Sequence, residues 1–475
     1  MSGFFGCVSR KECVADVFYG TDYHSHLGTK RAGMAFYNDE DLFVRSIHSL
    51  ENSYFRTKFE DELGKFAGSR MGIGVISDTE SQPITLTSHL GRFAVVTIGR
   101  IDNIDEITQQ LLDDRINFAE LSDSTINATE LVAILISRAA TFEEGIQKVH
   151  DTIKGSCSFL ILTDHGIYAC RDKVGRTPIV IGKHENGYAA ATESSSFTNL
   201  EYELVRDLGP REAVFITADR VETVVQPGKT KQICSFLWVY YGYPSSWYEG
   251  INVEQSRYNC GAALACRDRD ELKEVDYAAG IPDSGIGHAV GYSNEKRVPY
   301  KRAFVKYTPT WPRSFMPSNP EMRSLVAKMK LIPNKALTDG AKIVFLDDSI
   351  VRGTQLRDNV GKLFEAGAKE VHIRIACPPL VFPCLFVNFS ASRSSFDLVT
   401  RRTIRELEGT EDFSDEVLQE YADPDSERYA RMVEKMRKDM RLTSLKFMRL
   451  DDLVKAIGLP KEQLCTHCWD NSSEM

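Results

Sequence analysis

Short apolar runs separated by glycine, aspartate and asparagine dominate the first half of the chain: FAVVTIG, CSFLILTDHGIYAC, TPIVIGKHENGYAAAT and EAVFITADRVETVV. Runs of this length, punctuated by turn formers, predict antiparallel strands joined by hairpins. Between them, ATELVAILISRAATFEEGIQKVHDTI repeats its apolar positions at three and four, the spacing of helix with a buried face. Residues 1–225 are therefore expected to form a layered α+β unit. The aromatic and turn-rich stretch that follows, in 226–250, reads as a connector. From 251 to 400 the order becomes strand, loop, helix, and AKIVFLDDSIVRGTQLRDNVGKLFEAGAKEVHIRIACPP has the form of a βαβ unit. That predicts an α/β unit, a parallel sheet with helices on both faces. Residues 401–475 are charged and helix-prone, and they carry the pair CTHC.

With 475 residues, 42% of them hydrophobic and 26% charged, the chain can bury more than one core, which excludes a disordered or collagenous protein. The 58 basic and 67 acidic residues leave a net charge of -9, so no general attraction to nucleic acid or anionic lipid is expected, and any phosphate site must be local. The longest apolar stretches, such as IACPPLVFPCLFV, are broken by proline and fall short of the ~20 residues that a bilayer span needs. MSGFFGCVSRKEC has no long apolar core of a leader, so a soluble, cytoplasmic protein without a membrane partner is expected. Eleven cysteines in such a chain point to reduced thiols or metal ligands rather than a disulfide framework.

The strongest chemical signal is IVFLDDSIVRGTQ, residues 343–355. An apolar strand ends in Asp347 and Asp348 and passes through a short loop into a helix. Ligands of open α/β sheets sit at the carboxyl ends of strands, and N–H groups at a helix start bind phosphate without net positive charge. Ser349, Gly353 and Thr354 suit such a cradle. The acidic pair suits ribose hydroxyls or Mg²⁺, which one or two carboxylates hold alongside phosphate ligands. Alone, an acidic pair is equally well a solvated strand end or a helix cap.

The complete string LDDSIVRGT resembles the phosphoribosyl diphosphate (PRPP) motif of type I phosphoribosyltransferases, in the form found in glutamine PRPP amidotransferases. Pro282–Gly285 is similar to that family's P-D-S-G loop, VKYTPTWPRSFMPS to its Lys- and Arg-bearing loop, and RDKVGRTPIVIG to a stretch of its first half. The resemblance implies an α+β glutaminase of the N-terminal-nucleophile hydrolase type, joined to an α/β type I phosphoribosyltransferase with a parallel sheet. Together they would form 5-phosphoribosylamine for purine nucleotide synthesis. Carried over by position, Ser284, Asp347 and Asp348 would be the Mg²⁺ site. Ser349 to Thr354 would hold the 5-phosphate, and Lys306 and Arg313 would face the diphosphate. A homotetramer and inhibitory purine nucleotides are further implications.

The first half departs from the family's pattern. Its cysteine nucleophile is replaced by Ser2 in MSGFFGCV, a weaker nucleophile that would need removal of Met1 to expose its own amine as base. Cys7 has the right chemistry but lacks the following glycine turn and is expected in the core. His26-Leu27-Gly28-Thr29 stands where the family has H-R-G-Q, GVISD at 74–78 where it has G-H-x-R-Y, Thr97-Ile98-Gly99 for H-N-G, and Ala128-Thr129-Glu130 for D-T-E. Each replacement loses a polar or charged group, so ammonia is expected to serve better than glutamine.

CTHC alone could be half a zinc site, a redox pair or coincidence. Some members of the resembled family carry a 4Fe-4S cluster between their domains, and its ligands match Cys234, Cys384, Cys465 and Cys468. Either that cluster or tetrahedral Zn²⁺ would satisfy four thiolates. The other seven cysteines are expected to be small buried residues. Besides the enzyme, a noncatalytic paralogue that binds PRPP or nucleotides and regulates a partner fits the same sequence.

Overall fold

The computed structural model describes residues 2–38, 42–122, 125–307, 331–387 and 394–472. Strand Gly3–Ser9 shows how the first half is built. Alternate side chains point to opposite faces of a strand, so Phe4 and Val8 enter one core cluster, whereas Phe5 and Cys7 enter another. The strand lies inside a seven-stranded sheet, antiparallel to Gly187–Ala191 on one side and Met71–Ser77 on the other. A second, six-stranded antiparallel sheet contains Ile84–Ser88, Gly91–Ile101 and Gly155–Leu162. Phe4, Ile73 and Val75 of the first sheet pack with Val96, Ile98 and Leu160 of the second, which makes the inter-sheet core. Helices cover the outer faces: Val14–Asp22 and Phe55–Phe59 over the first sheet, Ala128–Ser137 and Phe142–Thr152 over the second. The result is helix, sheet, sheet, helix.

The parallel sheet has the strand order Tyr277–Gly280, Lys342–Asp347, Glu370–Ile375 and Ser444–Phe447. Its central strands are nearly continuous buried runs, as expected where both faces are covered. Helix Thr354–Glu365 joins the second strand to the third and completes the expected βαβ unit. The sequence past residue 400 departs from the expected helical tail, because Ser444–Phe447 joins the sheet as its fourth strand and Leu464–Cys465 pairs with a distant strand. No helix among the described residues is long and apolar enough to cross a membrane.

Burial holds His24 and His150 down to about 4 and His288 to about 3, below the ordinary ~6.5 of an exposed imidazole. A histidine kept neutral by the fold takes up its proton more readily when unfolded. Stability is therefore full above pH ~6.5 and declines as pH falls from there toward the folded values. Each of the three should cost about 2 kcal/mol by pH 5. Urea denaturation from pH 7.5 to 5 should show the decline, and a flat profile would contradict it. Substituting His288 by glutamine should reduce the slope.

Candidate active site

Strand Lys342–Asp347 delivers its last carboxylate to the carboxyl edge of the parallel sheet, with Asp348 next to it. Ser284, in the loop after the neighbouring strand, donates through Oγ to Asp347 Oδ1 at 2.7 Å, and the Asp348 N–H donates to the same oxygen at 3.0 Å. The Ser349 hydroxyl donates to Asp348. Burial, followed by the proximity of Asp348, raises Asp347 well above the usual carboxylate range, and burial raises Asp348 as well. Two crowded, partly desolvated carboxylates are a site that a divalent cation would relieve.

The loop after Asp348 enters helix Thr354–Glu365 through Gly353, whose φ of +74° favours glycine. A Cβ there would also lie 2.9 Å from Met440 Cε. No side chain caps this helix, in contrast to Asn127, Thr141 and Asn252, which cap theirs. The first-turn N–H groups are thus left for an anion. The loop is braced from behind: Val399 N–H donates to Val351 O at 2.8 Å, and Arg402 donates to Arg352 O at 2.6 Å. Lys306 ends strand Phe304–Lys306 and pairs at 2.5 Å with Asp283, one residue before Ser284. Five of the expected groups, Ser284, Asp347, Asp348, Ser349 and Gly353, thus converge at one strand edge with Thr354 beside them, and Lys306 reaches the same loop. Arg313 lies outside the described residues.

A residue that the sequence did not single out joins this centre to the connector. Arg257, buried on helix Val253–Arg267, donates to the carbonyls of Trp238 (3.1 Å), Tyr240 (2.9 Å) and Gly242 (2.8 Å). Its charge also favours ionised Asp348.

In the first half, Ser2 is buried and its Oγ lies 3.4 Å from Ser77 Oγ, which accepts from Thr79 and Glu80 N–H groups at 3.1 and 3.0 Å. Register explains the meeting: Gly3 faces Ile76, so Ser2 follows on the strand side opposite Ser77. Cys7 is on the opposite face from Phe4, packed under helix Val14–Asp22, with Sγ 3.0 Å from the Tyr202 hydroxyl. Thr97 is locked to the carboxamide of Gln82, N–H to Oε1 at 2.7 Å and O from Nε2 at 3.0 Å, and its hydroxyl meets Thr129 at 2.6 Å. Gly99 has a φ of +112°, and a Cβ there would meet Ser156 O at 2.2 Å. Glu130 accepts from Ala119 and Glu120 N–H groups and so holds a loop. Asp78 accepts from Thr29 N–H at 2.7 Å, and Leu27 is buried in core. One guanidinium was missed: Arg31 faces Ser77 across the sheet and donates to Ser81.

The four cysteines expected to act together do meet. Ile233–Cys234 pairs in parallel with Leu464–Cys465, which puts Cys234 beside Cys465, while Val381 and Phe382 N–H groups donate to Cys468 O at 3.1 Å. Cys234, Cys384, Cys465 and Cys468 line one pocket walled by Phe236, Phe386, Val387, Trp469 and Arg176. Burial raises the Cys234 thiol, and the contact with Cys384, then burial, raises Cys468. Among the described residues no three His, Cys, Asp or Glu side chains close round a point as a single metal ion would require. Of the other seven cysteines six are buried, but Cys266 is exposed, near the solvent end of helix Val253–Arg267.

Comparison with known proteins gives this geometry a context. A family described as a glutamine amidotransferase domain matches residues 69–199. The amidophosphoribosyltransferase of Methanothermobacter thermautotrophicus is 28% identical over 98% of this chain and 92% of its own length. That of Bacillus subtilis is 30% identical over 81% of this chain and 80% of its own. The solved glutamine PRPP amidotransferase from B. subtilis, complexed with ADP and GMP, superposes with a TM-score of 0.83 at 26% identity, covering 99% of this chain and 96% of that one. A structure described as the allosteric regulatory enzyme of purine biosynthesis gives 0.84 at 26% identity, covering 99% and 95%. The two antiparallel sheets correspond to the N-terminal-nucleophile amidotransferase fold and the parallel sheet to the phosphoribosyltransferase fold. The chain belongs to the amidophosphoribosyltransferase family of pentosyltransferase enzymes.

Proposed function

We propose that this protein forms 5-phosphoribosylamine from PRPP with ammonia as the effective nitrogen donor, in purine nucleotide synthesis. The observation that carries the reading is the crevice at residues 347–354, where paired carboxylates and an uncapped helix start stand side by side. In this reading the N–H groups of 350–354 bind the 5-phosphate, with Ser349 and Thr354 donating from the rim. Ser284, Asp347 and Asp348 would hold Mg²⁺, which would neutralise charge on the diphosphate. Lys306, which reaches the Ser284 loop through Asp283, is assigned to the diphosphate, as the family resemblance assigns Arg313. Nitrogen attacks C1 of the ribose, the C1–O bond to diphosphate breaks, and the added nitrogen loses a proton. Residues 1–225 form the glutaminase-like unit, 226–250 the connector and 251–400 the transferase, to which Ser444–Phe447 is added from 401–475. PRPP turnover measured with ammonium and with glutamine tests the reading: diphosphate release with neither donor, despite PRPP binding, would leave a noncatalytic regulator.

The four-cysteine pocket is read as a 4Fe-4S site on the strength of the family resemblance, with Zn²⁺ as the alternative, and its four thiols and largely apolar wall suit either group. Loss of one ligand, Cys465→Ser or Cys384→Ser, should lower iron content after anaerobic purification and loosen the C-terminal segment, because metal binding contributes directly to folding. Iron and sulfide analysis with limited proteolysis checks both effects. Stoichiometric zinc without sulfide would keep the ligands and change the cofactor. A cytoplasmic homotetramer inhibited by purine nucleotides completes the reading, and light scattering with and without AMP or GMP tests the assembly.

A further inference from the structure

We propose that Arg176 is the resident countercharge of the four-cysteine site, a positioning residue that lets a net anion persist in an apolar pocket. The inference rests on the reading of those cysteines as a cluster site. Four thiolates outweigh the positive charge of a zinc ion or an oxidised iron–sulfur core, so the loaded site is a net anion. Burying an anion is unfavourable unless a cation accompanies it.

Among the described residues Arg176 is the one charged side chain on the pocket wall, and it is 1% exposed. Its guanidinium lies 3.6 Å from the centre of the Phe386 ring, two residues beyond Cys384. Nη1 donates to Gly155 O and Nη2 to Gln232 Oε1, both at 3.3 Å. On the main chain, Arg176 O accepts from Cys234 N–H at 3.1 Å, so the residue is tied to one cysteine by its backbone and to the segment of another by its side chain. Arg100 also approaches, donating to Cys384 O at 3.4 Å, but its side chain is 41% exposed and more strongly screened by water. A guanidinium keeps its charge when buried, and a lysine in its place would keep its own beside four thiolates, because a nearby anion favours the ammonium form.

The test uses the full chain reconstituted anaerobically with ferrous iron and sulfide. Wild type is compared with R176K, R176Q and R176M by iron bound per chain, by the rate of iron loss to excess chelator, and by the thermal midpoint of the metal-free protein. Wild type and R176K should retain iron alike, whereas R176Q and R176M should lose it roughly tenfold to a hundredfold faster, with metal-free midpoints close to wild type. Equal rates in all four proteins would overturn the proposal. So would an R176K as leaky as R176M, which would reduce the role to packing on Phe386. Should R176M fail to fold, R176Q carries the comparison. A wild-type chain that takes up no iron with sulfide would instead remove the cluster reading, and the inference with it.

Discussion

Asp347→Asn and Asp348→Asn should each reduce PRPP turnover by roughly 10²-fold with ammonia and with glutamine alike, the loss typical of removing one electrostatic contact to a developing charge. Each carboxylate is held by hydrogen bonds that asparagine reproduces only in part: Asp347 accepts from Ser284 and from Asp348 N–H, and Asp348 accepts from Ser349. Either substitution also removes the like-charge contact that, after burial, raises Asp347. The variants should therefore be as stable as wild type, or more so, while turnover falls. Higher Mg²⁺ should recover part of the activity. Steady-state diphosphate release across a Mg²⁺ series, with urea midpoints as the stability control, checks both sides. Wild-type rates in both variants at low Mg²⁺ would remove the pair from the active site.

Glutamine should be the poorer donor by ~10²-fold to 10³-fold, the usual effect of losing one oxyanion donor. By the resemblance, Ile98 would stand where the family has a donor side chain, and Ser2 where it has a thiol. Several such losses act on one transition state and do not multiply. Ser77, the polar neighbour of Ser2, is already engaged with Thr79 and Glu80, and Thr97 is tied to Gln82 and Thr129. Cys7 offers no substitute, because it lies on the other face of its strand. Glutaminase rates with PRPP present should be low in wild type and unchanged by Cys7→Ala. Ser2→Ala should abolish any residual hydrolysis, and Ser2→Cys should raise it. Mass spectrometry of the mature N-terminus must accompany the comparison. Efficient wild-type hydrolysis lost in Ser2→Ala would establish a serine nucleophile.

The βαβ unit was legible because its chemistry is contiguous: strand, acidic pair, loop and helix follow one another within IVFLDDSIVRGTQ. The separated cysteines were legible through resemblance, whereas their shared pocket depends on a parallel pairing of distant segments that no local pattern announces. Arg31, Arg176 and Arg257 escaped for the same reason. Each acquires its place from register or packing against a remote segment, and an arginine in a strand, a loop or a helix looks the same in sequence wherever it points. Strand Ser444–Phe447 was hidden by its length of four residues and by the helix-prone charge on its N-terminal side. Cys266 shows the limit of composition, since small thiols are usually buried and this one is not.

The pairing of Ile233–Cys234 with Leu464–Cys465 also fixes an order of assembly. The two antiparallel sheets draw every strand from the first 225 residues, so their core can close while the rest of the chain is still being synthesised. The connector cannot do the same, since its partner strand is 230 residues away. Until that partner arrives, Cys234 waits beside Arg176 without its fellow thiols. The four-cysteine pocket thus closes only after residue 468 has been made, and a ribosome stalled before residue 464 leaves the first half folded and the pocket open.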